Sequence, residues 1–337
     1  MRNFLILISS FYLSACTTLL EHRISSAKSA SIVQPAILQH VYRQHRVCNE
    51  IGSAGQYCFA YYDLEIDSQI RNFEFDFSYK LKNEQDLSDH VVFLLQQLPE
   101  DAPLVVIFPG YSMHAADMFA YAVWLNTRGF YPIIAEGPTY QPFFDFGQHY
   151  AKALAQRLTQ QYPQRKVLLL GYSMGASSFD AFSQQHPRVT AGIAIAPMLN
   201  VEEIAQSLHQ RQSKYHPMAR LLPRSNLEQA MANLLAQREL QATDLDFRIM
   251  ATRLSYPLLV YTAEHDWLSP ADAFTGEARL HLQHKHLSQL WHEALNHPWP
   301  ELRQYGADWL TQYFETINVE PVQKLSTEAI VSAEDQP

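Results

Sequence analysis

The sequence predicts an α/β fold, with a mostly parallel, doubly wound sheet and an inserted helical cap. Three observations carry this. Short continuous apolar runs recur at Leu104 to Phe108, Phe130 to Ala135, Val167 to Leu170, Ala191 to Ala196 and Leu258 to Thr262. Helix-patterned segments, such as Ala115 to Thr127 and Gly147 to Gln161, separate the first three runs. Strands with no polar face need cover on both sides, which a parallel sheet between two helical layers supplies. Finally, the interval from Leu199 to Thr252 holds no strand of its own, which makes it a helical insertion.

Ahead of the parallel series, Tyr57 to Ile66 and Phe73 to Leu81 alternate apolar and polar residues with period two, as half-buried antiparallel strands do. Inside the insertion, Ser225-Asn226-Leu227-Glu228 has the form of a capping box, and Leu227, Met231, Leu234 and Leu235 recur at helical spacing. An amphipathic insertion has to rest its apolar face on something, and the open end of the sheet is the surface available. A last strand near Leu287 to Trp291 and a helix from Trp299 to Phe314 close the series. Residues from about 318 to 337 are polar and acidic and read as a mobile tail. No internal repeat is present.

The composition is that of a globular protein, with 337 residues, 47% of them hydrophobic and 18% charged. That is enough for one core domain of roughly 250 residues plus appendages. A formal charge of −9, with basic residues scattered along the chain, leaves no footprint for phosphates and argues against nucleic acid as a partner.

Two stretches share the words Gly-Tyr-Ser-Met. Gly171-Tyr172-Ser173-Met174-Gly175 completes the pattern G-x-S-x-G directly after a buried strand and before the helix-compatible Ala176-Ser177-Ser178. A tight strand-to-helix turn needs glycine where neighbouring backbone comes close, and it lifts the serine above the sheet. Gly110-Tyr111-Ser112-Met113 is followed by His114, so Ser112 lacks the second glycine and cannot make this turn. Its place after the first parallel strand suits a backbone N–H donor to an oxyanion, with the N–H of Met174 as second donor. Pro109 has no N–H, so Tyr111 or Ser112 supplies the loop's donor.

At these residues the chain resembles the α/β-hydrolase family, over roughly Tyr57 to Phe314. The resemblance implies the α/β-hydrolase fold and a chain order of serine, acid, histidine. Ser173 is then the nucleophile. Asp266, in Ala263-Glu264-His265-Asp266, is the expected acid, with Glu264 its rival. His297, just before the last helix, is the expected base, and His292 reads as an ordinary histidine at the strand end. Asn296 stands where the family often has glycine. Implied with this is cleavage of a carboxylic ester or related acyl bond through an acyl-enzyme, with no cofactor, on a small-molecule acyl substrate that is lipid-like or a small apolar ester. A peptidase or thioesterase would use the same triad. A non-catalytic envelope protein keeping the fold as a binding surface is the alternative of another class.

The N-terminus points to export. Arg2 precedes an apolar stretch from Phe4 to Leu13, about ten residues, too short for the ~30 Å of a bilayer core and suited to a secretory signal. Leu13-Ser14-Ala15-Cys16 resembles the lipobox of bacterial lipoproteins. This resemblance implies a signal peptide over 1–15, lipidation at Cys16 and, with Thr17 following, attachment to the outer membrane. Residues 16–45, including a serine-rich stretch, read as a polar tether, leaving 46–337 as the hydrolase domain with its cap at about 199–252. Setting Cys16 aside from three cysteines leaves Cys48 and Cys58, expected as a disulfide in an oxidising compartment.

Two further groups bear on function. His281, His284 and His286 do not share one face, and no Cys or carboxylate cluster joins them, so no metal site is read there. Arg211 to Arg224 carries four basic and no acidic side chains, which fits either an anionic head group at the entrance or a solvated lid face. The aromatic residues Tyr111, Tyr172, Phe143, Phe144 and Trp299 suit either a pocket wall or the core.

Overall fold

The protein is described here by a computed structural model, which describes residues 17–28, 36–51, 55–65, 72–80, 86–204, 206–207, 210, 223–274 and 282–315. Cys16 and the expected signal peptide, His281, the tail and most of the basic stretch from Arg211 lie outside the described residues.

The central sheet has the spatial order β1-β2-β6-β5-β7-β8-β9-β10. Its strands are β1 (Tyr42–Ile51), β2 (Gly55–Leu64), β5 (Leu104–Phe108), β6 (Tyr131–Ala135), β7 (Val167–Tyr172), β8 (Val189–Ile195), β9 (Leu258–His265) and β10 (Leu282–Trp291). From β6 to β10 all neighbours run parallel, while β1 and β2 pair antiparallel with each other and β2 antiparallel with β6. The wholly apolar runs are wholly buried: every residue of β5, β6 and β7 is inaccessible to solvent or nearly so. Helices α3 (Phe119–Thr127), α4 (Gln148–Gln161), α5 (Ser178–Ser183) and α8 (Pro300–Leu310) connect and flank these strands.

A separate hairpin, β3 (Asn72–Lys80) with β4 (Asp86–Leu94), forms a second sheet. Its alternation sorts Phe73, Phe75, Val91 and Phe93 to the buried face, and the rings of Phe73 and Phe75 pack on Phe119 of α3. β1 and β4 have no counterpart in the sequence reading. β1 reads Y-R-Q-H-R-V-C-N-E-I, too polar to show as a strand, because it lies at the sheet edge.

The expected tether over 16–45 is corrected by these contacts. Residues 17–25 are helical (α1), α2 spans Ala36–Val41, and β1 already begins at Tyr42. Leu38, Val41 and Tyr42 are buried in the main core, so the folded body begins well before residue 46. In the β1–β2 ladder Cys48 stands opposite Cys58, and the two are joined as a disulfide.

The insertion after β8 contains α6 (Arg224–Gln237) and α7 (Phe247–Ala251). α6 starts one residue before Ser225, with Pro223 at its cap and no side-chain cap bond, so the expected capping box does not form. Glu228 instead accepts from Arg224 one turn earlier, at 2.7 Å. The apolar stripe of α6 is buried through Met231, Leu234 and Leu235, which belong to a second apolar cluster apart from the main core.

Candidate active site

β5 and β7 lie side by side, and the chain leaves them in opposite directions across the sheet, to β6 and to β8. Such a switch point opens a crevice at the carboxyl ends of the strands. The loops that follow β5 and β7 are the two Gly-Tyr-Ser-Met stretches, so the topology alone brings Ser112 and Ser173 to one crevice.

Ser173 follows β7 with φ of 49°, a left-handed conformation that costs a serine energy and is held by its surroundings. A Cβ on Gly171 would stand 2.5 Å from Ala176 Cα, and one on Gly175 would stand 2.1 Å from the Phe108 carbonyl oxygen and 2.6 Å from that of Pro109. Both glycines of the turn are therefore required by close backbone approach. Gly175 in particular lets the turn lie directly on the loop after β5. The Ser173 carbonyl accepts from the Met198 N–H at 3.1 Å, fixing the turn against the segment after β8.

The loop after β5 is a tight turn in which the Met113 N–H donates to the Gly110 carbonyl at 3.3 Å and Ser112 takes φ of 59°. Met113 is thereby engaged within the turn. Glu136, at the end of β6, holds the far side of this loop. One carboxylate oxygen accepts from the N–H groups of Ala115 at 2.9 Å and Gly137 at 2.8 Å, and the other accepts from the Tyr62 hydroxyl at 3.0 Å. The Ala116 N–H donates to His114 Nδ1 at 3.0 Å, so the imidazole proton sits on Nε2, 3.3 Å from Glu136. Sequence reading passed over Glu136 and His114 because neither belongs to a motif.

Asp266 lies in the loop after β9, 5% exposed. One of its oxygens accepts from the N–H groups of Leu268 at 2.9 Å and Ser269 at 2.8 Å. Both oxygens lie 3.1 Å from His292 Nδ1. Glu264, two residues earlier in β9, is exposed. A carboxylate only accepts, so Nδ1 of His292 carries the proton and Nε2 is left as an acceptor. The His292 carbonyl accepts from the Tyr172 hydroxyl at 2.6 Å, and the two rings meet edge to face at 5.5 Å. His292 is thus tied to the residue directly before Ser173.

This corrects the expected pairing of Asp266 with His297. In the parallel β9–β10 ladder Trp291 is level with His265, so the next residue on each strand, His292 and Asp266, come out side by side. His297 follows the single 3₁₀ turn His292–Asn296 and faces elsewhere. Its Nε2 is 2.6 Å from Asp89 of β4, and its ring stacks on Phe77 at 3.8 Å with Trp299 edge-on at 4.8 Å. It is wholly buried. Burial pushes its pKa down despite the neighbouring carboxylate, so it is a neutral donor to Asp89. Burial alone would raise the Asp89 carboxyl, but hydrogen bonds from His297 and Arg303 and the Arg303 charge outweigh it and bring it to about 2. Sequence reading set His292 aside as an ordinary strand-end histidine, and what separates it from His297 is the β9–β10 register, which brings it level with Asp266.

Next to Ser173, through Met174, begins the second apolar cluster, built from Phe144, Phe146, Met174, Met198, Val201, Met231, Leu234, Leu235 and Leu245. It joins the residue after the serine to the cap. Beside the Asp266 loop opens a cavity of about 300 Å³, lined by Trp267, Leu268 and Pro270 with Leu199, Ile204 and Arg248. Of the other aromatic candidates, Phe143 packs tilted against Tyr57 at the main core, and Trp299 donates to the Ala294 carbonyl at 2.7 Å. His284 shares a hydrogen bond with Thr262 at 2.7 Å. Among the described residues, the group whose ligand atoms gather closely enough for a metal is Glu74, Asp76 and His90, exposed on the β3–β4 hairpin and away from the serine.

Comparison with known proteins bears on the fold. Residues 140–249, which contain the serine turn and much of the cap, match the family model of the serine aminopeptidases S33. An esterase of Pyrococcus furiosus superposes with a TM-score of 0.56 at 12% identity, over 85% of this chain and 96% of its own. A carboxylesterase of Bacillus subtilis superposes with a TM-score of 0.45 at 16% identity, over 73% of this chain and 94% of its own. No curated protein matches the chain.

Proposed function

We propose that this chain, an α/β-hydrolase by its fold, is a serine hydrolase in which Ser173 is the nucleophile, His292 the base and Asp266 the carboxylate that orients it. The observation that carries the reading is the Asp266–His292 pair, both oxygens 3.1 Å from Nδ1, tied through Tyr172 to the strained serine turn. A serine hydroxyl is a weak nucleophile until an imidazole takes its proton, and the imidazole needs a carboxylate to fix its tautomer. In this mechanism Ser173 Oγ attacks an acyl carbonyl while its proton passes to His292 Nε2. The resulting oxyanion is met by the N–H of Met174 and by that of Tyr111 or Ser112. Collapse breaks the bond to the leaving alcohol, which takes the proton from His292. Water then repeats the sequence on the acyl-enzyme and frees Ser173.

The substrate favoured is a carboxylic ester with an apolar acyl group, because Met174 belongs to a buried cluster of apolar side chains. The step needs no cofactor. The test is labelling of the purified protein with a fluorophosphonate probe, with Ser173→Ala, Ser112→Ala and His292→Asn beside it. Labelling that survives Ser112→Ala and disappears with Ser173→Ala and His292→Asn supports the reading. A folded wild type that takes no label overturns it in favour of a non-catalytic binding protein.

The lipobox-like Leu13 to Cys16 supports a lipid anchor at Cys16 in the bacterial envelope, on the outer membrane. Metabolic labelling with a radioactive fatty acid, lost in Cys16→Ser, is the expected result. Equal label in both proteins overturns it.

A further inference from the structure

Helix α1 does not lead away from the body as a tether would. Its Glu21 carboxylate accepts from Asn233 at 2.6 Å and from Gln237 at 3.3 Å, both on the cap helix α6. The Ile24 carbonyl accepts from the Tyr111 hydroxyl at 2.7 Å, in the loop after β5. Lys28 stands over the Tyr140 ring at 4.9 Å. Burial lifts the Tyr111 pKa to about 12, which keeps its hydroxyl protonated as a donor. Glu21 and Ile24 thus tie α1 to the cap and to the loop after β5, and Lys28, just past the helix end, adds a contact to Tyr140.

The Ile24 side chain meanwhile packs against the apolar cluster that contains Met174. Tyr111 packs against the same cluster, its ring edge-on to Phe144 at 6.1 Å. An acyl chain attached to Ser173 would run past Met174 toward this cluster, against which Ile24 of α1 packs. From this juxtaposition, and resting on the function proposed above, we propose that α1 is a fixed wall of the acyl pocket and that Ile24 sets the length of acyl chain the pocket accepts. Specificity would then be determined in part by a segment that precedes the sheet in sequence, beyond the cap insertion itself.

The experiment compares the full chain with Ile24→Ala, Ile24→Trp and Glu21→Ala on p-nitrophenyl esters from acetyl to dodecanoyl, with fluorophosphonate labelling of Ser173 run in parallel. Removing or adding a few methylene-sized groups at a pocket wall shifts discrimination by roughly tenfold. The ratio of kcat/KM for dodecanoyl to that for butyryl ester is expected to rise by about that factor in Ile24→Ala and to fall in Ile24→Trp. Glu21→Ala cuts the ties to Asn233 and Gln237 without touching the apolar cluster, and moves the ratio in the direction of Ile24→Ala. Full labelling with chain-length profiles equal to wild type in all three variants overturns the wall while leaving the serine hydrolase intact. Loss of labelling in the wild type overturns both.

Discussion

In the function proposed above, two histidines five residues apart divide into a chemical and a structural one, and substitution separates them. His292→Asn removes the acceptor Nε2 that Ser173 needs. Loss of a triad member costs several orders of magnitude in turnover, whereas Tm is expected to stay within a few degrees of wild type. His297→Ala has the opposite signature. It leaves Asp89 without one donor and opens a void beside Phe77 and Trp299, costing about 2–4 kcal/mol of stability. Paired thermal melts and ester assays on the two variants read this directly, and activity lost in proportion to unfolding for His292→Asn would contradict the assignment. Gly175→Ala belongs to the same scale. Its Cβ would meet two backbone oxygens at 2.1 and 2.6 Å, neither of which can swing away as a side chain does. The serine turn has to part from the loop after β5, separating the Met174 N–H from the loop's donor, and kcat should fall by about 10² or more.

At the scale of elements, the β5 loop is only as rigid as its attachments, and Glu136 supplies one of them through the Ala115 N–H. In Glu136→Ala the Ala115 and Gly137 N–H groups and the Tyr62 hydroxyl lose a buried acceptor, each worth about 1–3 kcal/mol when left unpaired. The loop is expected to loosen, lowering kcat with little change in KM, and Glu136→Gln should restore part of the rate because its oxygen still accepts from the two backbone groups. A Glu136→Gln variant no better than Glu136→Ala would show that the charge toward His114 matters more than the loop. The elements themselves were unequally legible in the sequence. β5, β6 and β7 are buried on both faces and read as unbroken apolar runs, so their parallel sheet was plain, and so was the serine that follows β7. Asp266 was legible because it follows the strand after the insertion. The histidine was not, since two candidates follow β10 and only the β9–β10 register tells which one stands beside Asp266. α1 and the first residues of β1 were read as tether because they are polar, and what holds them is hydrogen bonding to the cap and pairing with β2, neither of which leaves an apolar pattern.

For the whole molecule, the Asp89–His297–Arg303 cluster joins three parts of the chain that share no ladder. Asp89 sits on the outlying β3–β4 hairpin, Arg303 on α8, and His297 at the end of the turn that begins with His292. Arg303 donates to Asp89 at 2.6 Å and to the Pro298 carbonyl at 2.7 Å, while the Tyr121 hydroxyl donates to the Leu295 carbonyl at 2.6 Å. The cluster therefore ties the hairpin to the segment that positions the proposed base, and acid should release it. The sign follows from proton binding in each state. His297 is held below its ordinary 6.5, so the unfolded chain binds more protons than the folded one as pH falls through 6.5, and stability declines. Asp89 is held at about 2 against an ordinary 3.8, so its contribution is complete above 3.8 and is lost as pH falls toward 2. Both groups weaken the fold in acid, in successive windows. His297→Gln keeps a donor for Asp89 but cannot titrate, so its stability between about pH 7 and pH 5 should vary less with pH than that of the wild type, while the later loss toward pH 2 remains. Urea melts across this range measure both windows. If the two proteins lose stability in parallel from pH 7 to pH 5, His297 is not the group that titrates there, and the neutral buried imidazole assigned to it is wrong.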